Sequence, residues 1–163
     1  MKIVIVGIGK LGEYLARVLV KDENEVTLVD VDFTTSRDII DNEDVNYICG
    51  NGLDPDVLIE AGVKDADLLI SVMQQDEQNV MCSLLGKKLG AEHTIARIRN
   101  NEYGNALKYF SKDLGLSTAK EKGNITYGEL AAQLGDINAE EIEKVFDSFE
   151  ELGVSVLKDD DLL

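Results

Sequence analysis

Apolar and polar positions alternate in blocks along this chain. Short aliphatic runs recur at Ile3-Val4-Ile5-Val6, Val26 to Val29, Val45 to Cys49, Leu68 to Val72 and Thr94 to Ile98, each of strand length. Between them the apolar residues return with helical spacing. Leu11, Leu15, Val18 and Leu19 fall at i, i+4, i+7 and i+8 and make one stripe suited to covering a sheet. Thr34 to Ile40 predicts a short helix with Ile39 and Ile40 turned inward. After the turn Gly50-Asn51-Gly52, Asp54 reads as an N-cap, Pro55 as the first helical residue and Gly62 as the stop. Gln74 to Asn79 reads as a polar loop and helix start, and Val80, Leu84 and Leu85 carry that helix to Gly90. A helix through Leu107 and Phe110 follows the fifth strand.

A β-α unit repeated in this way predicts an α/β fold: a Rossmann-like, doubly wound parallel sheet in the order 3-2-1-4-5. Leu68 to Val72 is nearly continuous in apolar residues, as expected of a strand buried on both faces. The ligand crevice of such a sheet lies at the carboxyl ends of the strands, where the order switches between strands one and four.

The first strand runs straight into Gly7-Ile8-Gly9-Lys10-Leu11-Gly12, and the second ends at Asp30. Strand, glycine turn, helix, strand and acid together make the dinucleotide-binding fingerprint. Gly7 permits the tight turn, Gly9 keeps side-chain bulk away from a pyrophosphate, and Gly12 lets the helix lie close. The helix start aims its free N–H groups and positive dipole end at phosphates. Asp30 would accept from the ribose hydroxyls, and with Asp32 it disfavours a 2′-phosphate. Asp32 reads equally as a solvated acid. Asn51-Gly52 follows strand three, Met73 to Asp76 follow strand four, and Arg97 and Arg99 end strand five. Arg97 is either a phosphate partner or half of a surface ion pair, and Asn51 is either a ligand contact or a turn residue in a left-handed conformation.

Composition narrows the classes. The 32 acids against 16 bases give a net charge of −16, a field that repels nucleic acid and argues against binding it directly. No apolar run is long enough for a bilayer, no signal-peptide pattern opens the chain, and Met1-Lys2 enters the first strand directly, so a cytoplasmic location is expected. Cys49 and Cys82 form no C-x-x-C pair and read as buried free thiols, and the single His93 anchors no metal cluster.

Together the motifs resemble the N-terminal nucleotide-binding domain of the TrkA/KtrA family, cytosolic subunits that regulate potassium uptake systems and channels (RCK or KTN domains). The residues that carry it are Ile5 to Gly12, Leu28-Val29-Asp30-Val31-Asp32, Gly50 to Leu58, Ala61 to Asp67, Asp76-Glu77-Gln78-Asn79 and Ala96-Arg97-Ile98-Arg99-Asn100. The resemblance covers residues 1–116. It implies binding of NAD or NADH, with ATP or ADP as the alternative, without turnover. It also implies assembly and docking on a membrane potassium transporter subunit, hence a peripheral place at the inner face of the membrane. Carried over, Gly7, Ile8, Gly9, Lys10, Leu11 and Gly12 cradle phosphates and Asp30, with Asp32 beside it, faces the ribose. Asn51, Gly52 and Met73 lie on the adenine side, and Arg97 at the distal phosphate or nicotinamide end. The family often has Asp where this chain has Asn51. It also continues into a sixth strand, a crossover helix and a regulatory lobe, whereas this chain departs at Leu116-Ser117. A homodimer through the remaining helices is the expectation.

From Ser117 onward 12 acids face 4 bases. Thr126-Tyr127-Gly128-Glu129 is a capping box opening a helix to Leu134, and Ile142, Val145, Phe146, Phe149 and Leu152 make an apolar stripe that Gly153 ends. Residues 119–158 resemble region 1.1 of primary bacterial sigma factors, a small acidic helical module that occupies the DNA channel of RNA polymerase. That resemblance implies a polymerase contact by the tail; the plain alternative is an acidic two-helix cap.

The expected function is therefore non-catalytic ligand sensing in potassium transport. The rivals are a protein-interaction module acting through the tail and an NAD-dependent reductase. The reductase reading lacks a Tyr-x-x-x-Lys motif, since Tyr103 is followed by Leu107 and Tyr109 by Asp113.

Overall fold

The alternation of inward and outward side chains along the first strand sets up a sheet covered on both faces. In β1 (Lys2–Val6), Ile3 and Ile5 belong to one buried cluster and Val4 and Val6 to another. The computed structural model describes residues 1–99. There, β1 is followed by α1 (Lys10–Lys21), β2 (Glu25–Asp30), α2 (Phe33–Asn42), β3 (Val45–Cys49), α3 (Pro55–Glu60), a 3-10 turn at Val63–Asp65, β4 (Leu68–Ser71), α4 (Asp76–Leu89) and β5 (His93–Ala96). All four strand pairings are parallel, and the order is β3-β2-β1-β4-β5, as the β-α alternation predicts. The helix through Leu107 and Phe110, the limit at residue 116 and the acidic module of residues 119–158 lie outside the described residues.

The two clusters are the two layers of a doubly wound fold. Leu11, Leu15 and Leu19 of α1 and Ile39 of α2 cover Ile3, Ile5, Leu28 and Ile70. Leu58 of α3, Val63 and Cys82 of α4 cover Val4, Val6, Val29 and Leu69. Every residue of β4 is buried, because it sits between β1 and β5 with helices on both faces. Arg17 of α1 bridges Glu13 (2.9 Å), Asp38 of α2 (2.6 Å) and Glu43 (2.8 Å), holding the two helices of one face in register.

The local signals at α3 behave as expected. The Asp54 side chain accepts from the Asp56 N–H at 3.0 Å, Pro55 takes the first turn, and Gly62 follows the C-cap with φ +83°.

The buried face of α4 was left open by the sequence, and two expectations change. In α4 the buried face is Asp76, Asn79, Cys82, Ser83 and Gly86, while Val80, Leu84 and Leu85 are only half-buried at its flanks. Small residues there let the helix sit close on β4: a Cβ on Gly86 would stand 2.7 Å from Leu69 Cδ1. The strand β5 ends at Ala96 rather than Ile98, because side chains of α4 take over the backbone partners beyond it. Cys49 is exposed, not buried. It ends β3, an edge strand with one flank open. Among the described residues no helix is long and apolar enough to cross a membrane.

The two thiols therefore differ. Burial pushes the Cys82 thiol up to about 12, with the Ser71 hydroxyl opposing it. Ellman-type titration at neutral pH should modify Cys49 in the folded protein and Cys82 only after denaturation. The same shift makes stability fall as pH climbs above the ordinary thiol value of 9.0, since the unfolded chain then binds fewer protons than the folded one. Rapid modification of both thiols under native conditions would contradict this packing.

Candidate functional site

The carboxyl ends of the five strands open on one cleft of about 940 Å³. Its floor is the loop from β1 to α1. Gly7 has φ +98°, a left-handed conformation that side chains rarely adopt, and its N–H donates to Val29 O at 2.9 Å. A Cβ on Gly12 would lie 2.0 Å from the Gly7 carbonyl oxygen, so the third glycine brings the helix onto the loop itself. A Cβ on Gly9 would meet nothing within 4 Å. Gly9 caps α1 without a side-chain hydrogen bond, which leaves the orphan N–H groups of the first turn for an incoming anion.

Of the residues singled out from sequence, Gly7, Ile8, Gly9, Lys10, Leu11, Asp30, Asp32, Asn51, Gly52, Met73 and Arg97 all line the cleft. Gly12 stands behind the loop and shapes it.

Asp30 is more than a rim acid. Its Oδ2 accepts from Ile8 N at 2.6 Å and its Oδ1 from Asp32 N at 2.9 Å. Its carbonyl accepts from Gly50 N at 2.9 Å and from the Tyr47 hydroxyl at 3.0 Å. One residue thus ties the ends of β1, β2 and β3 together. Burial, then the Cys49 thiol, pushes the Tyr47 phenol up to about 12, so it remains a donor at neutral pH.

Asp32 has local work. Its Oδ1 accepts from the N–H (2.9 Å) and hydroxyl (2.5 Å) of Thr34 and so caps α2. Asn51 makes a turn through its side chain, Oδ1 accepting from Leu53 N at 3.0 Å. It is not left-handed: among the described residues Glu23 is the non-glycine residue with positive φ. Gly52 is pressed against Val6 and lies beside the Met73 sulfur.

The opposite wall carries the cations. Arg97 is half-buried, and its pKa is lowered by burial and by the charge of Arg99, with Asp76 opposing. Arg99 also lines the cleft, and its guanidinium donates to Gln74 O and, at 3.4 Å, to Met73 O. Acids on the β2 side and cations on the β5 side give the cleft a polarity: a diol suits one end and an anion the other.

Asn79 is the residue that pattern reading underrates. It is wholly buried and bonds the ends of β4 and β5. An Asn one turn into the helix, three residues after Asp76 and on the face of small residues Cys82, Ser83 and Gly86, was the available signal.

The family described as TrkA-N domain matches residues 3–118, and Sigma-70 factor, region 1.1 matches residues 113–162. The Trk system potassium uptake protein TrkA of Vibrio alginolyticus is 39% identical over 104 residues, 63% of this chain and 23% of that protein. The chain spans about a quarter to a third of the length of the curated relatives it matches. The TrkA-N domain of the inner membrane protein ybaL from Escherichia coli superposes with a TM-score of 0.63 at 15% identity, covering 82% of this chain and 93% of that one. The GsuK channel bound to NAD superposes at 0.60 with 21% identity, over 72% of this chain and 20% of that one. Both likenesses are likenesses of fold.

The loop geometry separates two glycine substitutions. Gly12→Ala should cost about 1–3 kcal/mol by overpacking, whereas Gly9→Ala should stay within about 0.5 kcal/mol. Urea denaturation of both variants checks the difference, and equal costs would count against the close approach of loop and helix.

Proposed function

This chain belongs to the TrkA-N domain family, and on that premise we propose that it is a non-catalytic nucleotide sensor in potassium transport. The observation that carries the reading is the uncapped start of α1 behind Gly9, which opens on the cleft with Asp30 on one side and Arg97 on the other. In this reading Gly7, Ile8, Gly9, Lys10 and Leu11 receive the phosphates and Asp30 the ribose hydroxyls. Asn51, Gly52 and Met73 border the adenine, and Arg97 meets the distal phosphate or nicotinamide end. Asp32 caps α2, and its charge keeps a 2′-phosphate away. The ligand is NAD or NADH, with ATP or ADP as the alternative. The NAD-bound GsuK channel supports the choice by fold. The cleft presents positioned donors, a diol acceptor and paired cations, a set for holding a nucleotide rather than reacting with it.

Regulation follows from linkage: a nucleotide that binds one conformation better shifts the assembly towards it. The partner is a membrane potassium transporter subunit, as the name of the Vibrio relative suggests. The chain then works as a homodimer in the cytoplasm, peripheral to the membrane, with residues 1–116 as the nucleotide-binding domain. Residues 119–158 form a second, acidic module. The sigma-factor match over 113–162 favours a second reading for that segment, contact with RNA polymerase, which a pull-down with polymerase core tests.

Calorimetric titration with NAD⁺, NADH, ATP and ADP tests the sensor reading. At least one should bind, and Gly9→Val should weaken it by about tenfold or more (~1.4 kcal/mol) while the melting temperature holds, since the new side chain meets only ligand. Absence of binding by all four would sink the proposal.

A further inference from the structure

The regular ladder between β4 and β5 stops short of the cleft. Arg97 N still donates to Ser71 O at 2.9 Å, but beyond it the Met73 N–H and carbonyl, the Arg97 carbonyl and the Arg99 N–H find their partners outside the strands. The first turns of α4 supply them. Asn79 Oδ1 accepts from Met73 N at 2.7 Å and from Ser71 Oγ at 2.9 Å. Its Nδ2 donates to Met73 O at 3.1 Å and to Arg97 O at 3.0 Å. Both donors and both lone pairs of the amide are used, at a site with no solvent exposure. Three residues earlier, Asp76 Oδ2 accepts from Arg99 N at 2.9 Å. The helix thus grips the two segments that wall the cleft opposite Asp30, and Met73, Arg97 and Arg99 all line it.

Nothing comparable is needed on the other side. The glycine loop and the β2 end are tied through Asp30, on a different set of hydrogen bonds. The Arg97–Arg99 end of the cleft is therefore held by α4, while Met73 also packs against Gly7 of the glycine loop.

We propose that Asn79, with Asp76, is the positioning residue of the distal half of the nucleotide site, setting how ligands longer than a mononucleotide are held. The inference rests on the nucleotide reading above. A mononucleotide such as AMP meets only Met73 of the clip, and Met73 is also held by its packing against Gly7 and by Val72 N, which donates to Val6 O at 2.8 Å, so its affinity changes little. A dinucleotide such as NAD⁺, which reaches on to Arg97 and Arg99, depends on the clip. Loss of a buried, fully used amide leaves backbone groups unpaired and lets that wall shift.

The test compares NAD⁺ and AMP affinities by calorimetry on the full chain. Asn79→Asp keeps an acceptor for Met73 N and Ser71 but turns an oxygen towards the carbonyls of Met73 and Arg97. It should raise the NAD⁺ dissociation constant by about tenfold while the AMP constant changes less than about twofold. Should that variant not fold, Asp76→Ala decides by the same ratio, because it releases Arg99 N from outside the buried amide. Equal weakening of both ligands, or an unchanged ratio in folded protein, overturns the positioning role and leaves the sensor reading intact. Wild-type protein that binds AMP and not NAD⁺ also overturns the inference alone. Wild-type protein that binds neither AMP, NAD⁺ nor any other nucleotide overturns both.

Discussion

The approach of the first turn of α1 to the loop that precedes it governs the rest of the molecule. The space between Gly12 and the Gly7 carbonyl has no room for a single added carbon. That contact seats α1 against β1 and directs its uncapped end at the strand termini. Leu11, Leu15 and Leu19 can then reach the sheet and close one of the two cores. If the helix stood farther off, the stripe would lose the sheet and the N–H groups would lose the cleft. Stability and ligand chemistry thus rest on the same pair of glycines, which have no side chains to offer either.

Around this loop the cleft is organised by a few polar residues used many times over. Asp30 connects three strand ends with its carboxylate and carbonyl, and Asn79 connects two more with one amide. Each sits where the parallel ladder ends and backbone groups would otherwise be orphaned. The resulting walls carry opposite charge, acids beside β2 and guanidinium groups beside β5. Asp30 sets one wall and Asn79 with Asp76 the other, and Met73 packs against Gly7 where the two meet.

Much of this was readable from pattern. The aliphatic runs and helical stripes specify the five strands and four helices of residues 1–99, and β-α alternation specifies the order β3-β2-β1-β4-β5. The fingerprint glycines and Asp30 fall in the cleft because strand ends and helix starts meet there whatever the intervening residues. Reading was weaker where a residue's role depends on its neighbours in space. Cys49 looked buried because its run is apolar, but an edge strand has an open flank. Val80, Leu84 and Leu85 marked a helix without saying which face it buries, and the sheet selected the smaller face with Gly86. Asp32 and Asn51 each had a ligand reading and a local one. The structure shows the local hydrogen bonds, a helix cap and a side-chain turn, in residues that also border the cleft.

By itself, then, the sequence determined the class of fold, the strand order, the glycine loop and the acid across from it. Those are properties of short segments and of their periodicity, and local sterics and burial are enough to set them. Tertiary structure alone decided that Asp30 binds the loop backbone, that Asp76 holds the Arg99 N–H, and that Asn79 clips β4 to β5. These roles join residues far apart in the chain, and a hydrogen bond between such partners exists only once packing has brought the strand ends within its reach.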